Sequence, residues 1–231
     1  MSALPNDYDS DPERFLSSGR YPHDDVHPYV AARLARARAR RVLDVGGGHG
    51  RLARLLPGLS MSCLLIDLSP AMLALAPRPV VRADGCRLPV ADASVDAVAM
   101  LYTLYHYADP RVPIREARRV LRPGGLLATC APNRDSNPEL APVLPRWGAR
   151  STFDGEDAAA IVASAFGAPG DQVEVERWDG HLNTLSTVVH AAGFLRIHGM
   201  SEGEAAAAAS TLDLPVTLTM RGCIVYAGKA P

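Results

Sequence analysis

The sequence predicts an α/β fold built on a doubly wound sheet, and three observations carry that expectation. Short apolar runs alternate with helix-like segments, a glycine-rich turn follows the first run, and a Pro-Gly-Gly terminator precedes the fifth. Alternation of this kind implies a mainly parallel sheet with right-handed crossovers.

The runs at 41–45, 62–67, 79–84, 95–101 and 125–131 are short and rich in Val, Leu and Ile, as expected of strands buried on both faces. Before them, "HPYVAARLARARAR" reads as a helix whose Arg33, Arg36, Arg38 and Arg40 form a solvated face. Between them, "HGRLARLLP" and "SPAMLALAP" read as helices, the second with Ser69 as N-cap and Pro70 at its first position. The stretch 112–125 places Ile114, Ala117, Val120 and Leu121 on one face and stops at Pro123-Gly124-Gly125.

The pattern changes after Cys130. Four prolines (Pro132, Pro138, Pro142 and Pro145) interrupt a stretch with little periodicity, so 132–170 is expected to be a substrate-side insertion. "DGEDAAAIVASAFG" then reads as a helix, "DQVEVERW" as a strand, 184–199 and 201–212 as helices forming a cover, and "MRGCIVYAGKA" as the final strand.

The chain of 231 residues, 48% apolar, suits one domain over 1–231. With 24 basic and 25 acidic residues it lacks the basic surface a nucleic-acid binder relies on. Cys63, Cys86, Cys130 and Cys223 form no C-x-x-C pair, which speaks against a zinc site and fits a reducing cytosol. The polar, acidic N-terminus does not read as a signal peptide, and no run reaches the ~20 apolar residues of a membrane span. The expectation is a cytoplasmic monomer or homodimer with no membrane and no nucleic-acid partner.

The turn "DVGGGHGRLA" lets a ligand approach backbone closely, because glycine has no side chain to block it. No G-K-[ST] follows, so it is not a phosphate-binding P-loop. A dinucleotide fingerprint fails when it starts at Gly46, where Arg51 takes the third glycine's place. Started at Gly48 it puts Ala53 there, which the looser fingerprint allows. Asp67, 21 residues after Gly46 at the end of the second strand, can accept from both hydroxyls of a ribose, a device common to several nucleotide-type cofactors.

Asp44-x-Gly46-x-Gly48-x-Gly50, "LLIDLS", "RADGCRLPVADASVDAV" and "LYTLYHYADPRVPIREARRVLRPGG" follow one another in order. Together they resemble the class I S-adenosylmethionine-dependent methyltransferases, in their small-molecule, type 11-like branch, over roughly 41–134. The resemblance implies a Rossmann-like methyltransferase fold, a seven-stranded sheet with its last strand antiparallel, that binds S-adenosylmethionine and releases S-adenosylhomocysteine. It assigns cofactor contacts to Asp44, Gly46, Gly47, Gly48, Asp67, Leu68, Asp84, Gly85 and Leu101. The segment 1–26 is similar to that family's N-terminal cover, with Tyr8 and Tyr21 set against the cofactor. The acceptor side falls to Tyr102, Tyr105 and His106 after the fourth strand, Asn133, Asp135 and Glu139 after the fifth, and Trp147 in the insertion. His106 is the candidate base; His181 faces either the pocket or solvent, and His49 packs near the cofactor with no chemical role. The family's paired histidines are reduced here to Tyr105-His106, and its Asn-Pro-Pro-Tyr-like motif is absent, which lowers nucleobase and protein-glutamine substrates. No metal is expected. The implied activity is methyl transfer to a small molecule of bacterial secondary metabolism. A cofactor-binding cyclase or regulator on the same fold is the alternative, with a nicotinamide dehydrogenase behind it.

Overall fold

The computed structural model describes Tyr8, Asp9, Pro12 and residues 26–231, with the side chains of His181 and Leu182 left aside. Tyr21 and most of the segment 1–26 therefore lie outside the described residues.

The elements run α1 (Val26–Arg36), β1 (Arg41–Val45), α2 (Arg51–Leu55), β2 (Ser62–Asp67), α3 (Pro70–Leu75), β3 (Val80–Arg82), β4 (Val95–Leu101), α4 (Arg111–Val120), β5 (Leu121–Pro132), α5 (Ala158–Phe166), β6 (Gln172–Leu185), α6 (Val188–Ile197), α7 (Glu202–Ala209) and β7 (Val216–Gly228). They form one seven-stranded sheet in the order β3-β2-β1-β4-β5-β7-β6. Strands β1 to β5 pair in parallel, and β7 runs antiparallel to both β5 and β6. The order reverses between β1 and β4, so the carboxyl ends of these two strands open the cleft where α/β sheets take their ligands.

Each central strand is apolar on both faces. In β4, Val95, Val98 and Met100 join the core under α4 and α5, while Ala97, Ala99 and Leu101 join the core under α1 and α2. This explains the continuous apolar runs, since a parallel sheet covered by helices leaves no polar side. Asp96 breaks the rule for a local reason: its carboxylate accepts from the amides of Arg40 (2.8 Å) and Arg41 (2.7 Å) and from Arg122 Nε (2.6 Å). It thus pins the entry of β1 to β4 and β5, and these donors hold its carboxyl down at about 2 despite burial.

Three boundaries differ from the sequence reading. The helix expected to stop at Pro123-Gly124-Gly125 already ends at Val120, since Arg122, which precedes Pro123, is disfavoured in helical geometry; β5 begins at Leu121 with an irregular register against β4. The helix in the expected insertion, α5, is a regular crossover packed into the sheet core through Ala158, Ile161, Val162, Ala165 and Phe166. Only the stretch before it, which includes a single turn at Pro138–Leu140, is irregular. Finally, β6 runs on to Leu185 and β7 starts at Val216, so the two form a long hairpin that continues past β5. Its outer half and helices α6 and α7 share a core of their own, with Leu140, Leu185, Phe194, Leu195, Leu218 and Met220 buried together.

Candidate active site

The cleft is built on the loop after β1. Gly46, Gly48 and Gly50 all have positive φ (67°, 55° and 86°), but their surroundings differ. A Cβ on Gly46 would lie 2.2 Å from Thr103 Oγ1, whereas one on Gly48 would meet only Met72 Sδ, at 3.9 Å. Gly46 is therefore required by packing, and Gly48 faces open space into which a ligand fits.

The amides of the loop's four glycines are already spent. Gly46 and Gly47 donate to Ile66 O (2.7 and 3.4 Å), Gly50 donates to Gly47 O (2.9 Å), and Gly48 donates to Asp67 Oδ2 (2.8 Å). A diphosphate held by such a turn needs those amides free and a positive surround. Here Asp44 and Asp67 lie against the loop, with Arg51 and Arg54 following it. Asp44 lies beneath the loop; its Oδ2, only 2.6 Å from where a Cβ of Gly47 would stand, is buried and without a hydrogen bond among the described residues. Burial, aided by the neighbouring Asp67 charge and opposed by the Ala53 amide, pushes Asp44 up to about 7. Two carboxyls with an orphan oxygen suit a ligand carrying hydroxyls and positive charge, such as the ribose, ammonium and sulfonium of S-adenosylmethionine.

A pH dependence follows. A carboxyl that holds its proton more tightly in the fold than in the unfolded chain favours folding at low pH. That contribution fades as pH rises from about 4, the ordinary carboxylate value, towards 7. Asp44→Asn is expected to remove this decline, which approaches about 1.4 kcal/mol per pH unit for one proton. Denaturant titrations between pH 4 and 8 measure it; an unchanged slope in the variant would contradict the assignment.

Asp67 ends β2 with Oδ1 accepting from Ser69 N (2.9 Å) and Oδ2 from Gly48 N. Leu68 beside it is exposed, and its carbonyl accepts from Arg82 Nε. Across the cleft, Asp84 is exposed and accepts from Cys86 N (2.8 Å). Gly85 is buried under Tyr107, whose hydroxyl would lie 2.3 Å from a Cβ there. Tyr107 also hydrogen-bonds Thr103, the residue that packs on Gly46. The loop after β4 thereby locks the glycine turn to the Asp84–Gly85 turn. Thr103 went unnoticed in the sequence, since an isolated threonine carries no signal of a contact made 57 residues away.

Leu101 closes β4 in the core. Tyr102 follows with φ 53°, a left-handed conformation that costs a non-glycine residue roughly 1–2 kcal/mol. This reversal turns its ring towards His27, 6.4 Å away on the α1 side, and separates it from Tyr105 and His106, with which the sequence had grouped it. Tyr105 and His106 stay together, ring centroids 4.5 Å apart. His106 Nε2 hydrogen-bonds Tyr8 Oη at 2.8 Å. Burial pushes the imidazole down to about 4, so it is neutral at physiological pH.

The residues after β5 are drawn largely into scaffolding. Asn133 N donates to Arg221 O, and its Oδ1 is buried against Gly155 without a hydrogen bond among the described residues. Arg221 links Asp135 (3.3 Å) and Asp179 (3.2 Å). Glu139 accepts from Thr219 N (3.0 Å) and Thr219 Oγ1 (2.5 Å), so this carboxylate fastens the loop to β7 where the sequence reading gave it to the substrate. Trp147 Nε1 donates to Ser136 O (2.9 Å), with the ring at the surface. His181 lies within β6, its side chain outside the description. His49, in the glycine loop, is half-buried and held low by burial and by Arg51 and Arg54. Among the described residues no group of three or more His, Cys, Asp or Glu is placed to ligate a metal, and no helix is long and apolar enough to cross a membrane.

Residues 43–129 match the family described as a methyltransferase domain. An uncharacterized methyltransferase of Mycobacterium tuberculosis is 36% identical over 124 residues, which are 50% of this chain and 51% of that protein. A demethylmenaquinone methyltransferase of Mycolicibacterium vanbaalenii is 32% identical over 145 residues, 58% of this chain and 64% of the relative. The chain thus spans from about half to just under two thirds of the length of these relatives. Among solved structures, a SAM-dependent methyltransferase of Archaeoglobus fulgidus superposes with a TM-score of 0.59 over 93% of this chain and 99% of that one, at 18% identity. The [4+2]-cyclase SpnF gives 0.57 over 83% and 75%, at 22% identity. At these identities the likeness is one of fold.

Proposed function

We propose that this chain, whose residues 43–129 match a methyltransferase domain, is a class I S-adenosylmethionine-dependent methyltransferase that transfers a methyl group to a small-molecule acceptor, without a metal, in bacterial secondary metabolism. The observation that carries the ligand reading is the glycine loop, whose four glycine amides are paired internally and whose neighbouring carboxyls, Asp44 and Asp67, favour a cation over a diphosphate. In the cleft, Asp67 binds the ribose hydroxyls, Asp44 faces the methionine ammonium, and Asp84 with Gly85 receives the adenine. Bound there, the cofactor supplies an electrophilic methyl on a sulfonium.

The chain's own contribution is placement. Holding nucleophile, carbon and sulfur in line accounts for most of the acceleration such a displacement needs. In this reading Tyr105 and His106 form the acceptor rim. His106, neutral at physiological pH, is a weak base. It accepts the acceptor's proton late, once the arriving methyl has made that proton strongly acidic. The demethylmenaquinone methyltransferase among the relatives supports a small, apolar-bodied acceptor.

Transfer of labelled methyl to a panel of quinols, phenols and amines tests the proposal. Product with at least one class is expected. Tight binding of the cofactor with no transfer to any class would instead favour a non-methylating cyclase or regulator.

A further inference from the structure

Two consecutive residues far from the cleft in sequence touch both of its rims. Asp9 Oδ1 accepts from Ser69 Oγ (2.5 Å) and from Ala71 N (3.3 Å). Ser69 Oγ also accepts from Met72 N (3.1 Å), capping α3, and Ser69 N donates to Asp67. Asp9 is therefore fastened to the turn that carries the candidate ribose acid. Its neighbour Tyr8 reaches the other way, to His106 Nε2, with its ring edge-on to the imidazole at 5.6 Å and 86°. The ends of β2 and β4 are not adjacent; β1 and its glycine loop lie between them. Two strand spacings amount to roughly 10 Å, a gap that two side chains pointing in opposite directions from adjacent residues can bridge.

We propose that Asp9 and Tyr8 form a clasp across the mouth of the cleft, in which Asp9 anchors the backbone on Ser69 and the Tyr8 oxygen, so placed, accepts from Nε2–H of His106 and holds that tautomer. Both act as positioning residues. The neutral imidazole carries one proton, and the nitrogen that bears it is set by the hydrogen bond made at the other. With Nε2–H donating to the Tyr8 oxygen, the lone pair of Nδ1 is left to receive the acceptor's proton. The opposite arrangement, with the hydroxyl donating to Nε2, puts the proton on Nδ1 and leaves no base. The catalytic consequence rests on the methyl-transfer reading, but the clasp itself does not.

The test is the ¹⁵N spectrum of the His106 imidazole in the cofactor-free full chain at pH 7, for wild type, Tyr8→Phe, Asp9→Asn, Ser69→Ala and Ser69→Thr. Wild type is expected to show mainly the Nε2–H form. Tyr8→Phe, Asp9→Asn and Ser69→Ala are each expected to shift both nitrogens towards a mixture of tautomers, although neither Asp9 nor Ser69 touches the ring; Ser69→Thr, which keeps the hydroxyl, is expected to restore the wild-type spectrum. Wild-type shifts in Asp9→Asn and Ser69→Ala would overturn the anchoring, and wild-type shifts in Tyr8→Phe would overturn the clasp altogether. Titrating the same samples with S-adenosylhomocysteine separates the two readings. If wild type fails to bind it, the methyl-transfer reading falls, while the imidazole spectrum still decides the clasp.

Discussion

Asp67→Ala is expected to weaken binding of S-adenosylhomocysteine by about two orders of magnitude, measured by titration calorimetry. A carboxylate accepting from two ribose hydroxyls makes two charge-assisted hydrogen bonds, each worth about 1.5–3 kcal/mol, and a hundredfold loss corresponds to about 2.7 kcal/mol. The variant also releases the amides of Gly48 and Ser69, which Asp67 holds at 2.8 and 2.9 Å in the native cleft. Asp67→Asn separates the two effects. It keeps an oxygen for one of those amides and loses the charge, so its loss should be smaller than that of alanine yet clearly above the wild-type value. Affinity within twofold of wild type in Asp67→Ala would refute the ribose assignment.

The second large effect divides two glycines that look alike in sequence. Gly46→Ala should lower stability by about 3 kcal/mol. A left-handed alanine costs roughly 1–2 kcal/mol, and the new methyl, placed 2.2 Å from Thr103 Oγ1, adds overpacking of about 1–3 kcal/mol. For a chain of this size that means a melting temperature lower by roughly 6–12 °C. Gly48→Ala suffers the backbone term alone, because its methyl meets nothing nearer than Met72 Sδ at 3.9 Å. Its methyl instead projects into the space assigned to the cofactor. Binding should weaken at least about tenfold while the melting temperature falls by less than in Gly46→Ala. Thermal melting of both variants, with and without S-adenosylhomocysteine, reads the difference. Equal destabilisation with wild-type binding in Gly48→Ala would remove the cofactor from this face of the loop.

The half of the chain from β1 to β5 is legible in the sequence because its strands are buried on both sides. Runs such as "RVLDV" and "VDAVAML" need no partner to be recognised, and the turn glycines follow them directly. The later half is harder for a physical reason. Residues 179–184 mix Asp, Gly, His and Asn, so nothing local marks them as strand; they are held there by pairing with β7. The same applies to the site. Asp44 and Asp67 stand at strand ends within recognisable patterns, whereas the internal pairing of the loop amides emerges only from the fold, and that pairing is what turns the loop away from phosphate. Glu139 looked available for a substrate because a loop glutamate after a strand is usually solvated, and Thr219, 80 residues on, could not be foreseen as its partner. Asp9 offered no signal for the same reason: its partner Ser69 lies 60 residues away.

The proposed site on the glycine loop receives a sulfonium nucleoside and rejects a dinucleotide. The most direct measurement is calorimetric titration of the unmodified chain with S-adenosylhomocysteine and, in parallel, with NAD. Saturable one-site binding of S-adenosylhomocysteine with no heat from NAD is the result this account predicts. Binding of NAD without S-adenosylhomocysteine would contradict it.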